Sequence, residues 1–143
     1  MSSHEDADVL IAWFRDYASL RIDSRLADER YGFPPHVFLD LGNQGFFGMN
    51  VSPHYGGLGL KTADMLRVIE QIAAIDISLM IVIGETIQGA NTLQNYATDS
   101  LREQYLPNLA SGRIFASGAM TESVAGSNPR AMKSTATRIG KDE

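Results

Sequence analysis

The apolar periodicity of the chain changes once, near Gly112, and this change restricts the possible folds more than any other feature. Before Gly112, apolar residues recur at spacings of three and four, which is typical of amphipathic helices. After Arg113, the segments 114–120 and 134–139 alternate short apolar and polar residues and favour strands. One or two strands do not make an independent sheet, and their open edges promote association. We therefore expect a helical domain over residues 1–112 and the truncated beginning of a β-domain over 113–143, completed by further chain or by another chain.

Cap-forming residues and prolines predict where the helices of the first part begin. The predicted starts are at Ser2 or Ser3, at Pro34-Pro35, at Lys61 or Thr62, at Asp76 or Ser78, and at Thr98-Asp99. The first helix is expected to bury one stripe: Val9, Leu10, Trp13, Phe14, Tyr17 and Leu20. Residues 21–33 are charged and predict an irregular connection. The fold class is therefore mainly α.

Charge and composition exclude several classes of function. The net charge of −5, without a basic stripe, argues against nucleic acid and anionic membranes as partners. The chain has no cysteine, which excludes disulfides, thiolate zinc sites, iron–sulfur clusters and a cysteine nucleophile. The N-terminus is acidic where a signal peptide would be basic, and no apolar run is long enough to span a bilayer. We expect a cytoplasmic protein.

Two local patterns suggest sites that we reject in favour of plainer interpretations. His4 with Glu5, Asp6 and Asp8 resembles a metal-ligand cluster, but a solvated first helical turn explains these residues better, and we predict no metal site. The glycine-rich loop 52–60 lacks the full glycine spacing of a dinucleotide-binding turn and does not lie between a strand and a helix. A tight loop with close packing and positive φ is expected there.

The long helix predicted from about residue 79 to 96 carries small residues and two polar interruptions. Gly84, Gly89 and Ala90 would leave a groove or allow close approach of another helix. Glu85 and Gln88 would either line a ligand cavity or face solvent, and the solvent-facing position is the more ordinary interpretation. Glu85 is kept as a candidate substrate-binding residue.

Three motifs follow one another in an order that is typical of one family. They are YGGLG at 55–59, YLPNLASG at 105–112 and TESVAGSN at 121–128. Together they make the chain resemble the N-terminal part of the flavin-dependent acyl-CoA dehydrogenases. The resemblance implies an N-terminal helical bundle followed by one or two strands of an incomplete middle β-domain. The last motif departs from the family pattern because Ser123, Val124 and Asn128 replace a proline, a glycine and an aspartate.

The resemblance also implies an activity, a cofactor and partners. Family members oxidise an acyl thioester, carried on CoA or a carrier protein, to its α,β-enoyl form with FAD as hydride acceptor. The catalytic carboxylate lies in a C-terminal bundle, so no residue of this chain is assigned as catalytic, and the chain is expected to be inactive alone. An electron-transfer flavoprotein commonly reoxidises the flavin, and a homo-oligomer or a second chain would complete the fold.

Site residues are carried over by position onto the last motif and the segment before it. The implied cofactor-binding residues are Gly118, Ala119, Met120, Thr121, Gly126 and Ser127. Thr121 would donate a hydrogen bond to the flavin ring, and Gly126 would let the backbone approach. Ser127 would also contact the substrate, near the pantetheine arm of the thioester.

The sequence is compatible with two alternatives. The first is a non-catalytic helical module whose segment 114–139 pairs with a second chain. The second, weaker alternative keeps the fold but changes the chemistry to that of an oxidase or a flavin monooxygenase.

Overall fold

The computed structural model describes residues 2–140 and contains six α-helices within that range. They are α1 (Ser3–Arg21), α2 (Ser24–Glu29), α3 (Pro35–Asn43), α4 (Thr62–Ile75), α5 (Ile77–Tyr96) and α6 (Asp99–Ala110). Single 3-10 turns lie at Phe46–Gly48, Pro53–Tyr55 and Pro129–Ala131. Helix α1 packs along α4, α4 along α5, and α5 along α6. The prediction of a mainly helical bundle is confirmed.

Local capping explains why the helices begin where they do. The Ser2 hydroxyl accepts the N–H of Glu5, and the Glu5 carboxylate accepts the Ser2 N–H at 2.7 Å, which completes a capping box at α1. Asp76 caps α5 by accepting the N–H of Leu79 at 2.9 Å. Pro35 occupies the first turn of α3, where its missing N–H costs nothing. These starts agree with the sequence prediction.

Two details of the helical prediction are wrong. Helix α1 buries Ala7, Leu10, Phe14 and Ala18, whereas Val9 and Leu20 of the predicted stripe are 55% and 81% exposed. The face that α1 buries is set by its packing on α4, which spacing within α1 does not reveal. Residues 24–29 form a short helix instead of an irregular connection, because the Asp23 carboxylate accepts the N–H of Leu26 and caps it.

Aromatic side chains join the bundle to the segment that follows α6. Phe46 is fully buried, and its ring centroid lies 5.6 Å from that of Trp13 and 5.6 Å from that of Phe14. Its neighbour Phe47, also fully buried, meets Phe115 edge-on with ring centroids 5.2 Å apart. The core cluster that includes α1 therefore reaches Phe47, whose ring contacts the half-exposed Phe115 at the beginning of the non-helical part.

The two strands predicted at 114–120 and 134–139 are not formed within residues 2–140. The backbone there has no ladder, and one isolated antiparallel bridge joins Glu122 to Ala125. A strand needs a neighbour to receive its N–H and C=O groups. In the described part of the chain no other segment lies alongside to supply one, so the apolar–polar alternation alone does not produce strands.

The acidic residues near the N-terminus take part in contacts between α1 and α4. The Asp64 carboxylate accepts the Ser3 hydroxyl at 2.6 Å and contacts the His4 ring nitrogen Nδ1 at 2.9 Å. Arg67 on α4 donates to Asp8 at 2.6 Å. Within residues 2–140, no group of three or more ionisable ligands is arranged to hold a metal ion. His4 and Asp8 thus belong to a polar contact between two helices.

This contact predicts a pH dependence of stability. Hydrogen bonds from Ser3, and then from His4, lower the pKa of Asp64 from its ordinary value of 3.8. A depressed pKa in the folded state contributes stability that is present above the unfolded-state pKa and is lost as the pH falls through the folded-state pKa. The free energy of unfolding should therefore decrease below pH 3.8 more steeply in the unmodified chain than in Asp64→Asn.

Urea denaturation at a series of pH values measures this difference. Asp16→Asn, at an exposed position on α1, is the matched control and should follow the unmodified chain. Parallel acid profiles for Asp64→Asn and the unmodified chain would contradict the assignment.

Candidate functional site

The segment after α6 crosses α5 at a place where a small residue is required. A Cβ atom built on Gly89 would lie 2.3 Å from the Cβ of Ala116, so a larger residue at position 89 would displace the segment. Two residues further on, the Gly118 N–H donates to Oε2 of Glu85 at 3.0 Å. Gly89 therefore admits the non-helical segment at Ala116, not the second helix that was predicted as one possibility, and α5 holds this segment at Ala116 and Gly118.

A cavity of about 350 Å³ lies beside this crossing. Its lining comes from one face of α5 and from the crossing segment: Glu85, Gln88, Gly89, Thr92, Leu93, Ala116, Ser117 and Gly118. Glu85 is half-buried in the cavity wall, whereas Gln88 is exposed at its edge. The structure thus places Glu85 at a cavity, and its role in substrate binding stays a prediction.

Beyond Gly118 the chain presents hydrogen-bond donors that are unpaired within the described residues. Residues 119–121 are exposed, and within residues 2–140 neither their N–H groups nor the Thr121 hydroxyl make a hydrogen bond. The Ser127 hydroxyl is likewise exposed and unpaired in that range, and a Cβ on Gly126 would meet nothing within 4 Å. An isoalloxazine ring carries acceptor oxygens and nitrogens along one edge. The open donors at 119–121 therefore suit the group that the resemblance implies.

The loop from 122 to 134 is closed by a carboxylate. Glu122 accepts the N–H of Lys133 at 2.8 Å and the N–H of Ser134 at 2.9 Å, one on each oxygen. These hydrogen bonds lower the pKa of Glu122 from its ordinary value, the bond from Lys133 having the larger effect. Both oxygens are engaged in holding the loop, which fits a structural role for this carboxylate.

A tight turn lies inside this loop at the residues that depart from the family pattern. The N–H of Glu122 donates to the carbonyl of Ala125 at 2.9 Å, and the N–H of Ala125 returns a bond of 3.2 Å. Ser123 and Val124 occupy the turn, and neither has a positive φ. The turn thus forms without the proline and glycine of the family motif.

The structure brings some of the candidate residues together and leaves others apart. Glu85 and Gly118 are in direct contact, and Thr121 and Ser127 lie on either side of the Glu122–Ala125 bridge. Sequence reasoning missed Ala116, Ser117 and the α5 residues Thr92 and Leu93 as part of a cavity wall. The glycine at position 89 was the available signal, because it marks where another segment approaches α5.

No helix within residues 2–140 combines the length and the apolar character needed to cross a membrane.

Solved structures of known proteins share this arrangement of helices. The chain superposes on a glutaryl-coenzyme A dehydrogenase in complex with glutaryl-CoA with a TM-score of 0.79 and 26% identity, over 90% of this chain and 34% of that one. It superposes on butyryl-CoA dehydrogenase from Megasphaera elsdenii with a TM-score of 0.78 and 18% identity, over 90% of this chain and 35% of that one. The fold is therefore that of the helical part of an acyl-CoA dehydrogenase.

Sequence comparison gives the family. The family profile described as "Acyl-CoA dehydrogenase, N-terminal domain" matches residues 4–113. A probable acyl-CoA dehydrogenase of Mycobacterium leprae, fadE25, is 31% identical over 140 residues, which are 96% of this chain and 36% of that protein. Acyl-CoA dehydrogenase FadE12 of Mycobacterium tuberculosis is 30% identical over 106 residues, which are 74% of this chain and 27% of that protein. The chain belongs to the acyl-CoA dehydrogenase family, and it spans about a third of the length of these relatives.

Proposed function

We propose that this chain is the N-terminal part of a flavin-dependent dehydrogenase that introduces an α,β double bond into an acyl thioester. The observation that carries the proposal is the row of unpaired donors at 119–121, which leads away from a cavity on α5. Two similar structures support FAD as the cofactor: a glutaryl-CoA dehydrogenase from Mycobacterium smegmatis in complex with FADH2 and an acyl-CoA dehydrogenase from Bacillus anthracis complexed with FAD. The acyl group would be carried on CoA or on a carrier protein.

The roles of individual residues follow from their exposure and chemistry. The Thr121 hydroxyl and the N–H groups of Ala119 and Met120 would donate hydrogen bonds to the flavin ring and orient it. Gly126 would leave room for close approach, and Ser127 would contact the ring and the pantetheine arm. When bound, FAD supplies the acceptor for the β-hydride.

Three glutamates of the described residues do not qualify as the base that removes the α-proton. Glu122 uses both oxygens to hold its loop. Glu85 is bonded to the Gly118 N–H, and Glu70 is exposed on α4 in a groove facing α1. We infer that the base comes from outside residues 1–143, that residues 1–112 form the helical domain, and that 113–143 lead into a β-domain.

We further propose that the complete enzyme is a cytoplasmic homo-oligomer that passes electrons to an electron-transfer flavoprotein. One structure of similar fold is that of an electron-transferring flavoprotein of Acidaminococcus fermentans.

A second candidate function rests on the apolar surface of the segment after α6. Phe115, Met120, Val124 and Met132 are 49%, 57%, 57% and 40% exposed. Apolar side chains next to unpaired backbone groups favour pairing with another polypeptide. In this alternative, the chain is a helical module that binds a second chain and has no catalytic role of its own.

Anaerobic absorption spectroscopy tests the proposed absence of a base. The isolated chain, mixed with FAD and butyryl-CoA or glutaryl-CoA, should not bleach the visible flavin band. Bleaching at a catalytic rate would show that the chain is complete without further domains. Light scattering on the same sample tests the second candidate, which a monomer at all concentrations would contradict.

A further inference from the structure

We propose that Glu85 is a positioning residue, which fastens the segment carrying the candidate flavin donors to helix α5 before any cofactor binds. That this bond helps flavin to bind rests on the proposed function. That Glu85 holds the segment at Gly118 does not. Glu85, a wall residue of the cavity, is thus assigned the role of holding the backbone of this chain at Gly118.

Three successive anchors hold the segment, and Glu85 makes the last of them. Phe115 lies edge-on between Phe38 and Phe47, with ring centroids 5.6 and 5.2 Å away. Ala116 lies against Gly89, and the Gly118 N–H donates to Glu85. The next three residues are exposed and make no hydrogen bond within the described part of the chain. The direction in which residues 119–121 leave α5 therefore depends on the bond at Gly118.

The bond has the chemistry to hold an exposed backbone. A carboxylate that accepts a backbone N–H makes a charge-assisted hydrogen bond, which is stronger than a bond between neutral groups. Glu85 lies on a helix of 20 residues and is half-buried, so its own position is restricted. It supplies at one point the acceptor that a neighbouring strand would supply in a sheet.

The second carboxylate, Glu122, offers an independent attachment further along. It accepts hydrogen bonds from the N–H groups of Lys133 and Ser134, and neither bond involves α5. Removal of one carboxylate should therefore leave the hydrogen bonds of the other in place, and each variant serves as the matched control for the other.

Solvent-exchange NMR on the isotope-labelled full chain tests the proposal. In Glu85→Ala, the Gly118 amide should exchange about tenfold faster, as expected when a charge-assisted hydrogen bond is lost, while Lys133 and Ser134 keep their rates. In Glu122→Ala, the Lys133 and Ser134 amides should exchange faster, while the Gly118 amide keeps its rate. Glu85→Gln retains a carbonyl acceptor and should restore most of the protection at Gly118.

The Thr121 amide supplies a readout that a general destabilisation of α5 would not give. Its resonance should shift in Glu85→Ala and stay near its original position in Glu85→Gln, while buried α1 amides such as Phe14 report that both variants are folded. An unchanged Gly118 exchange rate in folded Glu85→Ala would overturn the proposal. None of these exchange measurements requires flavin, so their outcome is independent of the proposed function, which the flavin affinity of a protein completed with the remaining domains tests separately.

Discussion

Replacement of Phe47 by alanine is expected to lower the free energy of unfolding by about 3–5 kcal/mol, a large part of the stability of a domain of this size. Phe47 is fully buried and packs edge-on against Phe115. The Phe47 ring also packs against Gly112, which has a left-handed backbone conformation. A Cβ on Gly112 would lie 2.6 Å from Cδ2 of Phe47. Truncation leaves a cavity where the helical bundle meets the exit of α6 and the site-bearing segment.

Chemical denaturation followed by far-ultraviolet circular dichroism measures this loss. Leu39→Ala, at a position 64% exposed on α3, removes a large apolar side chain without making a buried cavity and should change the free energy by less than about 0.5 kcal/mol. Similar values for the two variants would show that Phe47 is not a central core residue.

Replacement of Gly57 by alanine is expected to destabilise the fold by about 1–3 kcal/mol or more, because the loop before α4 has no space for a methyl group. A Cβ at this position would lie 2.2 Å from the carbonyl oxygen and 2.5 Å from the Cβ of Val51, which is fully buried. Backbone bonds fix the two sides of the loop: Leu58 N–H donates to Gly48 at 2.9 Å, and Leu60 N–H donates to Met49 at 2.7 Å. The clash therefore cannot be relieved by rotation of a flexible side chain.

Gly32→Ala is the matched control for this substitution. A Cβ at Gly32 meets nothing within 4 Å, and its φ is not positive, so the control should be near neutral. Thermal unfolding of the two variants should differ clearly, with Gly57→Ala melting at the lower temperature. Equal melting temperatures would contradict the packing described for this loop.

The sequence predicts the helix starts well because their signals are local. Ser2, Asp76 and Pro35 act within one turn of their own helices. Which face a helix buries depends on its neighbours, so Val9 and Leu20 were wrongly predicted to be buried. The glycine-rich loop was correctly predicted to pack tightly, since glycine is the residue that permits such contacts.

The candidate site was less accessible to sequence reasoning because its contacts join distant residues. Glu85 and Gly118 are separated by 33 positions, and Glu122 and Lys133 by 11. Neither pairing has a local pattern. The motif resemblance predicts Thr121 and Ser127 as site residues, but the carboxylates that hold their segment become visible only in three dimensions. The strand prediction failed for a related reason, since alternation does not supply a partner strand.

The central claim is that residues 118–127 form the flavin-facing wall of the complete enzyme, and flavin affinity tests it most directly. This chain would be joined to the part of the Mycobacterium leprae relative that follows its matched region, and FAD binding would be titrated by fluorescence. We expect the joined protein to bind FAD, Thr121→Ala to bind it about tenfold more weakly through loss of one hydrogen-bond donor, and the exposed control Thr137→Ala to bind it unchanged. Equal affinities for all three proteins would contradict the claim.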